Sequence, residues 1–413
     1  MFEKEITELR KELLEIFKDL HGHPEAGFSE RRTSALVSEY LRNCGLDVTS
    51  GIAMTGVAGI LDSGRPGKTL MIRADMDCLE IRELAECEYK SLADGKMHAC
   101  GHDSHVTMLL GAAKILSRHK DAFAGRIKFV FQPAEEGTPK EMYETVKAAG
   151  YDRQGGAGFM VEKGILGGVD ACLVMHVQPA LPVGTVSISR KNACASSDVF
   201  DITLTGKGGH GAQPQNAIDP VPAMAELITA IHMLPTREIS AVETCVLSIG
   251  KVETPGSVWN AVAGKACISG GFRTFDRDVR EHLGRRIEEL AKNIANANRC
   301  TCTFELQRGY MPCINDETLA EAVAESCREV LGKDKVFLTN IPAMTSEDCG
   351  EYLSRVPGVF MWLGVGSGED VPPLHSPYFR LDTEALPAGV AVHVNNAVCI
   401  LNRLNGGGQN DGK

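Results

Sequence analysis

Residues 98–132 read HACGHDSHVTMLLGAAKILSRHKDAFAGRIKFVFQ, a helical pattern followed by an apolar strand pattern. The helical pattern covers Ser104–His119, and the apolar run Ile127–Gln132 predicts a buried strand. Upstream, the apolar runs Val57–Leu61 and Leu70–Ala74 predict two more buried strands. Because strands that alternate with helices form layered folds, the sequence predicts an α/β fold with an at least partly parallel sheet.

The pattern of the strands changes near Cys194. Asp198–Thr205 and Lys265–Phe272 alternate apolar and polar residues, and Cys300–Leu306 is another β-rich stretch. Between these three segments lie the long helical patterns Pro220–Leu234 and Asp276–Asn296. Strands with one polar face predict a small α+β domain whose sheet is covered on one side. After about Met311 the α/β pattern returns. We therefore predict a discontinuous larger domain at residues 1–190 and 309–405, an inserted domain at 191–308 and a flexible tail at 406–413.

The composition is that of a folded protein with an acidic balance. The 413 residues correspond to two or three domains at roughly 150 residues each. Apolar residues make up 43% and charged residues 23%, which argues against a mostly disordered chain. With 43 Lys and Arg against 54 Asp and Glu, the net charge is −11, and no basic cluster stands out. Nucleic acid and a polyanionic membrane surface are therefore not expected as partners.

Two further features predict a cytoplasmic protein. No apolar run approaches the roughly 18 residues of a membrane span, and Met1–Leu20 has the charged, helix-periodic pattern of an amphipathic helix rather than of a signal peptide. The 14 cysteines are scattered without a CxxC pair, at about 3% of the chain, well below the density of disulfide scaffolds. We expect most of them to be reduced and buried.

The motif His98-Ala-Cys-Gly-His-Asp-Ser-His105 holds three histidines and a cysteine in eight residues. Cys100, His102 and His105 offer ligand types suited to a transition metal. The alternative is an ordinary loop before a helix, with Asp103 or Ser104 as the N-cap.

Three other segments carry candidate groups. Glu135 and Glu136 follow a predicted strand, so one carboxylate could bind a metal while the other acts as a general base. An acidic surface loop is the alternative. His176 ends another apolar strand, where a core histidine is the simpler interpretation, and His375 lies in a rigid turn between prolines.

Considered together, these segments predict one site. Loops at the carboxyl ends of the strands of an open α/β sheet converge on one crevice. Five ligands are too many for one tetrahedral ion with an open position, but they suit two ions that share a ligand and a water. The candidate metal ligands are Cys100, His102, Glu136, His176 and His375.

The segments HACGHDSH, FQPAEEG, GKGGHGAQP and LHSP resemble the zinc-peptidase-like amidohydrolases related to aminoacylase. The most similar branch contains hippurate hydrolase, the indole-acetyl amino acid hydrolases and aminobenzoyl-glutamate hydrolase. The resemblance runs from about residue 10 to 405. It implies a catalytic α/β sandwich of zinc-peptidase type with two divalent metals per subunit, interrupted by an α+β lid domain that also forms a homodimer.

The resemblance also implies roles for single residues. The five candidate ligands match the metal ligands of the family, and Glu135 matches its catalytic acid/base. Asp77 matches an acidic residue that orients the site. His210 matches a histidine that reaches the partner subunit's active site and stabilises the oxyanion. Asn260 and Arg273 match lid residues that hold the substrate carboxylate, for which a guanidinium is well suited.

The sequence departs from the family pattern at four places. Thr138–Gln154 is an insertion of about 16 residues beside Glu135, for which a short helix is one interpretation. Glu80 and Ala263 stand where the family has proline, and Gln215 stands where it has histidine. These departures leave every candidate metal ligand in place.

The leading hypothesis is a metal-dependent amidohydrolase that cleaves N-acyl amino acids with a metal-activated water. The metal could be zinc, manganese, cobalt or nickel. One alternative is a metallo-exopeptidase that acts on dipeptides through the same chemistry. Another is a non-catalytic ligand-binding protein on the same scaffold.

Overall fold

The computed structural model describes residues 2–368 and 370–406, and the chain divides into two compact units. The larger unit takes Met1–Ala193, Cys313–Pro342 and Asp348–Lys413, and the smaller unit takes Cys194–Pro312 and Ala343–Glu347. The change in sequence pattern near Cys194 coincides with the start of the smaller unit. Residues 343–347, which we expected in the larger domain, join the smaller unit because the amide of Ala195 donates to the carbonyl of Thr345 at 2.9 Å. The predicted tail beyond Gly406 lies outside the described residues.

The helices and strands follow one another in three groups. Up to Cys194 they are α1 (Glu3–Gly22), α2 (Arg31–Asn43), β1 (Asp47–Ile52), β2 (Gly56–Asp62), β3 (Thr69–Asp75), α3 (His102–Arg118), β4 (Arg126–Gln132), α4 (Tyr143–Ala148), α5 (Gly156–Glu162), β5 (Ala171–Pro182), β6 (Val186–Ser189) and β7 (Asn192–Cys194). The next group is β8 (Asp198–Thr205), β9 (Gly209–His210), α6 (Pro220–Arg237), β10 (Cys245–Glu253), β11 (Ala261–Val262), β12 (Lys265–Thr274), α7 (Arg277–Ala297) and β13 (Thr301–Arg308). The last group is β14 (Cys313–Ile314), α8 (Glu317–Leu331), β15 (Val336–Thr339), α9 (Gly350–Leu353), β16 (Gly358–Gly366) and α10 (Ala385–Leu404).

The larger unit is built on an eight-stranded sheet in the order β1-β2-β4-β3-β5-β16-β6-β15. The four central strands β4, β3, β5 and β16 are parallel, so their carboxyl ends lie at one edge of the sheet. The outer pairs β1–β2, β2–β4 and β16–β6 are antiparallel. The predicted α/β fold with a partly parallel sheet is confirmed.

Helices α1, α3 and α10 pack together in the core of the larger unit. A Cβ added at Gly111 in α3 would lie only 2.7 Å from Leu13 and 2.8 Å from Val390, so the helices approach closely at this glycine. The helix α10 is long and apolar enough to cross a membrane by length and composition, and 61% of its most apolar window is buried inside the structure. Its packing against α3 and α8 is that of a core helix.

The smaller unit has a four-stranded antiparallel sheet in the order β10-β12-β8-β13. Along β8, Phe200, Ile202 and Leu204 are buried and pack in one cluster with residues of α6 and α7. The intervening side chains point to the other face and are more exposed. This arrangement confirms the predicted α+β unit whose sheet is covered on one side.

Candidate metal centre

The candidate groups of the larger unit lie toward the carboxyl ends of its parallel strands. Asp77 comes two residues after the end of β3, and Glu135 and Glu136 follow the end of β4. His176 lies within β5, which continues to Pro182 and does not end at this histidine as predicted. Helix α3 begins at His102, two residues earlier than predicted.

The five predicted metal ligands lie in one cluster. The Sγ of Cys100 is 3.4 Å from Nε2 of His176 and 3.3 Å from Nε2 of His375. The same nitrogen of His375 is 3.2 Å from Oε1 of Glu136. Donor atoms of His102, Glu135 and Glu136 lie within 4.8 Å of one another, which joins His102 to the others. Thiol, imidazole and carboxylate donors of this number suit two divalent transition metals.

Hydrogen bonds fix which nitrogen faces the cluster for two of the candidate histidines, His102 and His176. Nδ1 of His102 donates to the carbonyl of Asp77 at 2.9 Å and to its carboxylate at 3.2 Å. Nδ1 of His176 donates to the carbonyl of Val177 at 2.8 Å. Both Nε2 atoms are thereby left as ligands, the usual arrangement around a protein-bound metal. Among the described residues, Nε2 of His102 is buried without a hydrogen-bond partner, which suits this nitrogen to bind a cation.

His105 is close to the cluster, but both of its nitrogens are engaged. Nδ1 donates to Oδ1 of Asp75 at 2.6 Å, and Nε2 accepts from the amide of Val177 at 2.9 Å. A nitrogen that accepts a backbone hydrogen bond has no lone pair left for a metal. His105 is one of the three candidate ligands in the HACGHDSH motif. In this arrangement neither of its nitrogens is available to a metal, and its hydrogen bonds instead connect Asp75 to the backbone of β5.

A buried ionic network behind the site was not anticipated from the sequence. Arg73 is almost fully buried and contacts Asp75 at 2.6 Å and Asp348 at 3.0 Å. Its Nε donates to Gln132 at 2.8 Å, and the amide of Gln132 donates to Asp348 at 2.8 Å. The network joins the ends of β3 and β4 to the segment before α9. Arg73 stands beside the ADMD segment, but its partner Asp348 is 275 residues away and carries no local signal.

The electrostatics of the cluster favour a bound cation. Burial opposes protonation of His102, but Asp75 and Asp77 outweigh it and raise its pKa to about 10. Burial, reinforced by Glu136 and Glu135, raises the pKa of the Cys100 thiol well above its usual value. A divalent ion reverses both effects, because it favours the thiolate and the neutral imidazole that bind it.

The remaining three predicted residues lie in the smaller unit. His210 on β9 pairs with Ala261 on β11, and the carbonyl of Asn260 accepts from the amide of Gly211 at 3.0 Å. His210 and Asn260 are therefore neighbours on an exposed two-stranded ribbon. Arg273 lies on β12, on the face that α6 and α7 leave uncovered, and donates to the hydroxyl of Ser346 at 3.1 Å.

The insertion Thr138–Gln154 contains a 3-10 turn and the short helix α4. Its two ends meet, since the amide of Thr138 donates to Oε1 of Gln154 at 3.2 Å. Tyr151 stacks on Phe159 of α5 with ring centroids 4.7 Å apart. Arg153 forms an ion pair with Glu351 of α9. The insertion is thus a loop whose two ends are hydrogen-bonded to each other and whose side chains pack on α5 and α9 of the larger unit.

Comparisons with known proteins agree with this site. An IAA-amino acid hydrolase (ILR1-like 4) from Arabidopsis thaliana is 35% identical over 94% of this chain and 86% of its own length. Thermostable carboxypeptidase 2 from Saccharolobus solfataricus is 31% identical over 97% of this chain and 98% of its own. The solved Bacillus subtilis YxeP protein, a dinuclear metal binding peptidase from the M20 family, superposes with a TM-score of 0.80 at 29% identity, covering 96% of this chain and 99% of that one.

The predicted resemblance to dinuclear metal amidohydrolases is confirmed, and the buried donor cluster fits two divalent metal ions. Residues 71–397 match peptidase family M20/M25/M40, and the chain belongs to that family.

Proposed function

We propose that this chain hydrolyses the amide bond that joins an acyl group to an amino acid. Its family and its donor cluster make it a metal-dependent amide hydrolase. The observation that carries the hydrolytic part of the proposal is the position of Glu135, whose Oε2 lies 3.9 Å from Nε2 of His102. A buried carboxylate this close to the metal ligands is placed to act as a general base. The similarity to an IAA-amino acid hydrolase supports an acyl amino acid as substrate.

Cys100, His102, Glu136, His176 and His375 would hold the two metals. When bound, the metals would polarise the scissile carbonyl and make water a nucleophile near neutral pH. Glu135 accepts the proton of the attacking water and delivers it to the leaving amine. Asp77 keeps the proton of His102 on Nδ1, so that the facing nitrogen stays available.

We assign the predicted roles in the smaller unit on the family resemblance. The amide of Ala212 donates to Nδ1 of His210 at 3.0 Å, so a neutral His210 carries its proton on Nε2. That nitrogen is a donor suited to an oxyanion. Arg273 and the side chain of Asn260 are proposed to hold the substrate carboxylate.

The smaller unit is also proposed to form the homodimer. Trp259 is 96% exposed and Val242 is 87% exposed, and both lie on this unit. Large apolar side chains left in water are typical of an interface. We further propose a cytoplasmic location, because the 14 cysteines are scattered through the chain at about 3%, well below the density of disulfide-stabilised secreted scaffolds.

The test is hydrolysis of a panel by metal-free enzyme to which zinc, manganese, cobalt or nickel is returned. The panel holds hippurate, N-acetyl amino acids, aminobenzoyl-glutamate and free-amine dipeptides. Metal-dependent release of an amino acid from an acyl donor is the expected result. No hydrolysis by protein that binds two metals would count against the proposed substrate class, and protein that binds no metal would favour a ligand-binding role.

A metallo-exopeptidase is the second candidate, favoured by the similarity to a thermostable carboxypeptidase. The chemistry at Glu135 would be the same, and only the recognition of the substrate's amino end would differ. Faster hydrolysis of free-amine dipeptides than of their N-acyl counterparts would select this candidate.

A further inference from the structure

The turn that carries Glu135 is held on both sides by buried carboxylates. The amide of Glu136 donates to Oδ2 of Asp77 at 2.9 Å. The amide of Ala134 donates to Oε1 of Glu30 at 2.8 Å. Glu135 therefore lies between two residues whose backbone is fixed from outside the turn. Asp77 has a role from the family resemblance, whereas Glu30 has none.

Glu30 connects segments that are distant in sequence. It lies immediately before α2 and is fully buried. Its second oxygen, Oε2, accepts from the hydroxyl of Thr55 at 2.5 Å, in the tight turn between β1 and β2. Burial, reinforced by the nearby Asp77 carboxylate, raises the pKa of Glu30 to about 8, and the hydrogen bonds from Thr55 and Ala134 oppose that rise only in part. The carboxylate thereby ties α2 and the β1–β2 turn to the turn after β4.

The backbone at Ala134 needs such support. Ala134 has a φ of 51°, in the left-handed region that is unfavourable for residues other than glycine. Its carbonyl accepts from the amide of Gly156 at 2.9 Å. On its other side, a Cβ built on Gly27 would lie 2.9 Å from the Cβ of Ala134, so no side chain fits between them. Strained conformations of this kind persist only where their surroundings impose them.

We propose that Glu30 is a positioning residue of this hydrolase. By holding the amide of Ala134, its carboxylate sets the direction in which Glu135 and Glu136 leave the turn. Glu30 touches neither substrate nor metal and acts through the turn alone. The inference rests on the proposed role of Glu135 for its effect on turnover, but not for its effect on the metal ligand Glu136.

The experiment compares three variants of the full-length enzyme. Glu30→Ala removes the acceptor for the amide of Ala134, and Glu30→Gln retains an acceptor of the same shape. Glu25→Ala is the matched control, because within residues 2–368 and 370–406 the Glu25 carboxylate accepts from Arg32 and Thr33 at the start of α2 and has no hydrogen bond to the turn. Each variant is titrated with cobalt(II), whose visible absorption reports the geometry of its ligands, and is then assayed on the panel substrate.

For Glu30→Ala we expect an altered cobalt spectrum and metal affinity lower by roughly 10-fold or more. We expect its kcat to fall roughly 100-fold with KM unchanged, as for a misplaced catalytic group. Glu30→Gln should restore most of both properties, and Glu25→Ala should lower thermal stability without changing either. A wild-type spectrum and kcat in Glu30→Ala, or equal losses in Glu25→Ala, would overturn the proposal.

Two provisions keep the test decisive. If Glu30→Ala does not fold, Thr55→Val removes the second donor to Glu30 and should still shift the cobalt spectrum and lower kcat. Wild-type behaviour of Thr55→Val would then reject the role of Glu30. If the wild-type enzyme hydrolyses nothing on the panel, the proposed substrate fails, but the cobalt spectra still decide whether Glu30 positions the turn.

Discussion

Asp77 orients His102: Nδ1 of the histidine donates both to the carbonyl of Asp77 at 2.9 Å and to its carboxylate at 3.2 Å. The other carboxylate oxygen accepts from the amide of Glu136 at 2.9 Å. A single buried side chain thus aligns one candidate ligand on α3 and another in the turn after β4. Such outer contacts set both the tautomer and the direction of metal-binding side chains.

Replacement of Asp77 by Ala should therefore weaken metal binding. We expect a loss of roughly 10- to 100-fold in affinity, because His102 and Glu136 lose the partner that aligns them. Calorimetric titration of the metal-free protein with zinc measures the effect. Glu80→Ala is the control, since Glu80 is an exposed carboxylate three residues further along the chain. Unchanged metal affinity in Asp77→Ala would show that His102 and Glu136 keep their orientation without Asp77.

Replacement of Glu135 by Gln should abolish turnover and leave the metals bound. The amide keeps the shape of the side chain but cannot accept the proton of the attacking water, and general bases contribute roughly 10²- to 10⁴-fold to rates. The measurements are kcat and the metal content of the purified variant. Glu141→Gln, in the exposed insertion, is the control. If Glu135→Gln kept wild-type activity, another group would have to be the base.

Replacement of Asp348 by Ala should destabilise the larger unit. The change removes one of the carboxylates that the buried guanidinium of Arg73 contacts, and breaking a buried ion pair costs about 3 kcal/mol or more. Urea unfolding measures the difference. The exposed pair of Asp62 with Arg126 supplies the control, because Asp62→Ala should cost less than about 1 kcal/mol. An equal loss of unfolding free energy in the two variants would mean that the buried network stabilises the fold no more than an exposed ion pair does.

The buried pair of His21 and Asp103 should make stability depend on pH. Burial opposes protonation of His21, but the Asp103 carboxylate at 2.6 Å, helped by Glu83, raises its pKa to about 9. A histidine whose pKa is higher in the folded state stabilises the fold below its unfolded value of about 6.5. That contribution is lost as the pH rises toward 9.

The measurement is urea unfolding of the wild type and of His21→Gln between pH 6 and pH 9.5. The difference in free energy of unfolding between the wild type and His21→Gln should decrease steadily over this pH range. His23→Gln is the control, because the half-exposed side chain of His23 contacts Asp19, four residues earlier in the chain, and not the buried pair. A gap that stays constant with pH would mean that His21 is not protonated in the folded protein.

Much of the fold and the candidate site followed from local patterns. The apolar runs before Ala74 and Gln132 predicted strands of the large sheet, and alternation along residues 198–205 predicted a sheet with one covered face. Cys100 and His102 could be found in a compact motif rich in histidine, and Glu136 could be found because it follows the end of β4. His176 lies within β5 and His375 in a turn between prolines, so the local signal for these two ligands was weaker. Strand ends of a parallel sheet share an edge, so a one-dimensional pattern was enough to predict that they meet.

Contacts between distant segments could not be found in this way. Arg73 and Asp348 are far apart in sequence, as are Glu30 and Ala134. No local sequence pattern around one residue of either pair indicates which residue is its partner. Likewise, nothing in HACGHDSH distinguishes His105 from His102 as a ligand. Only the amide of Val177, brought close by β5, occupies the nitrogen that His105 would have needed.

The sequence by itself determined the types of donor, the strand ends that carry them and the family to which they belong, because these depend on residue identity and local periodicity. The tertiary structure alone decided which nitrogens of His102 and His176 face the donor cluster and which buried carboxylates hold the turn that carries Glu135. Those outcomes depend on hydrogen bonds between segments that become neighbours only when the sheet has formed, so no local pattern encodes them.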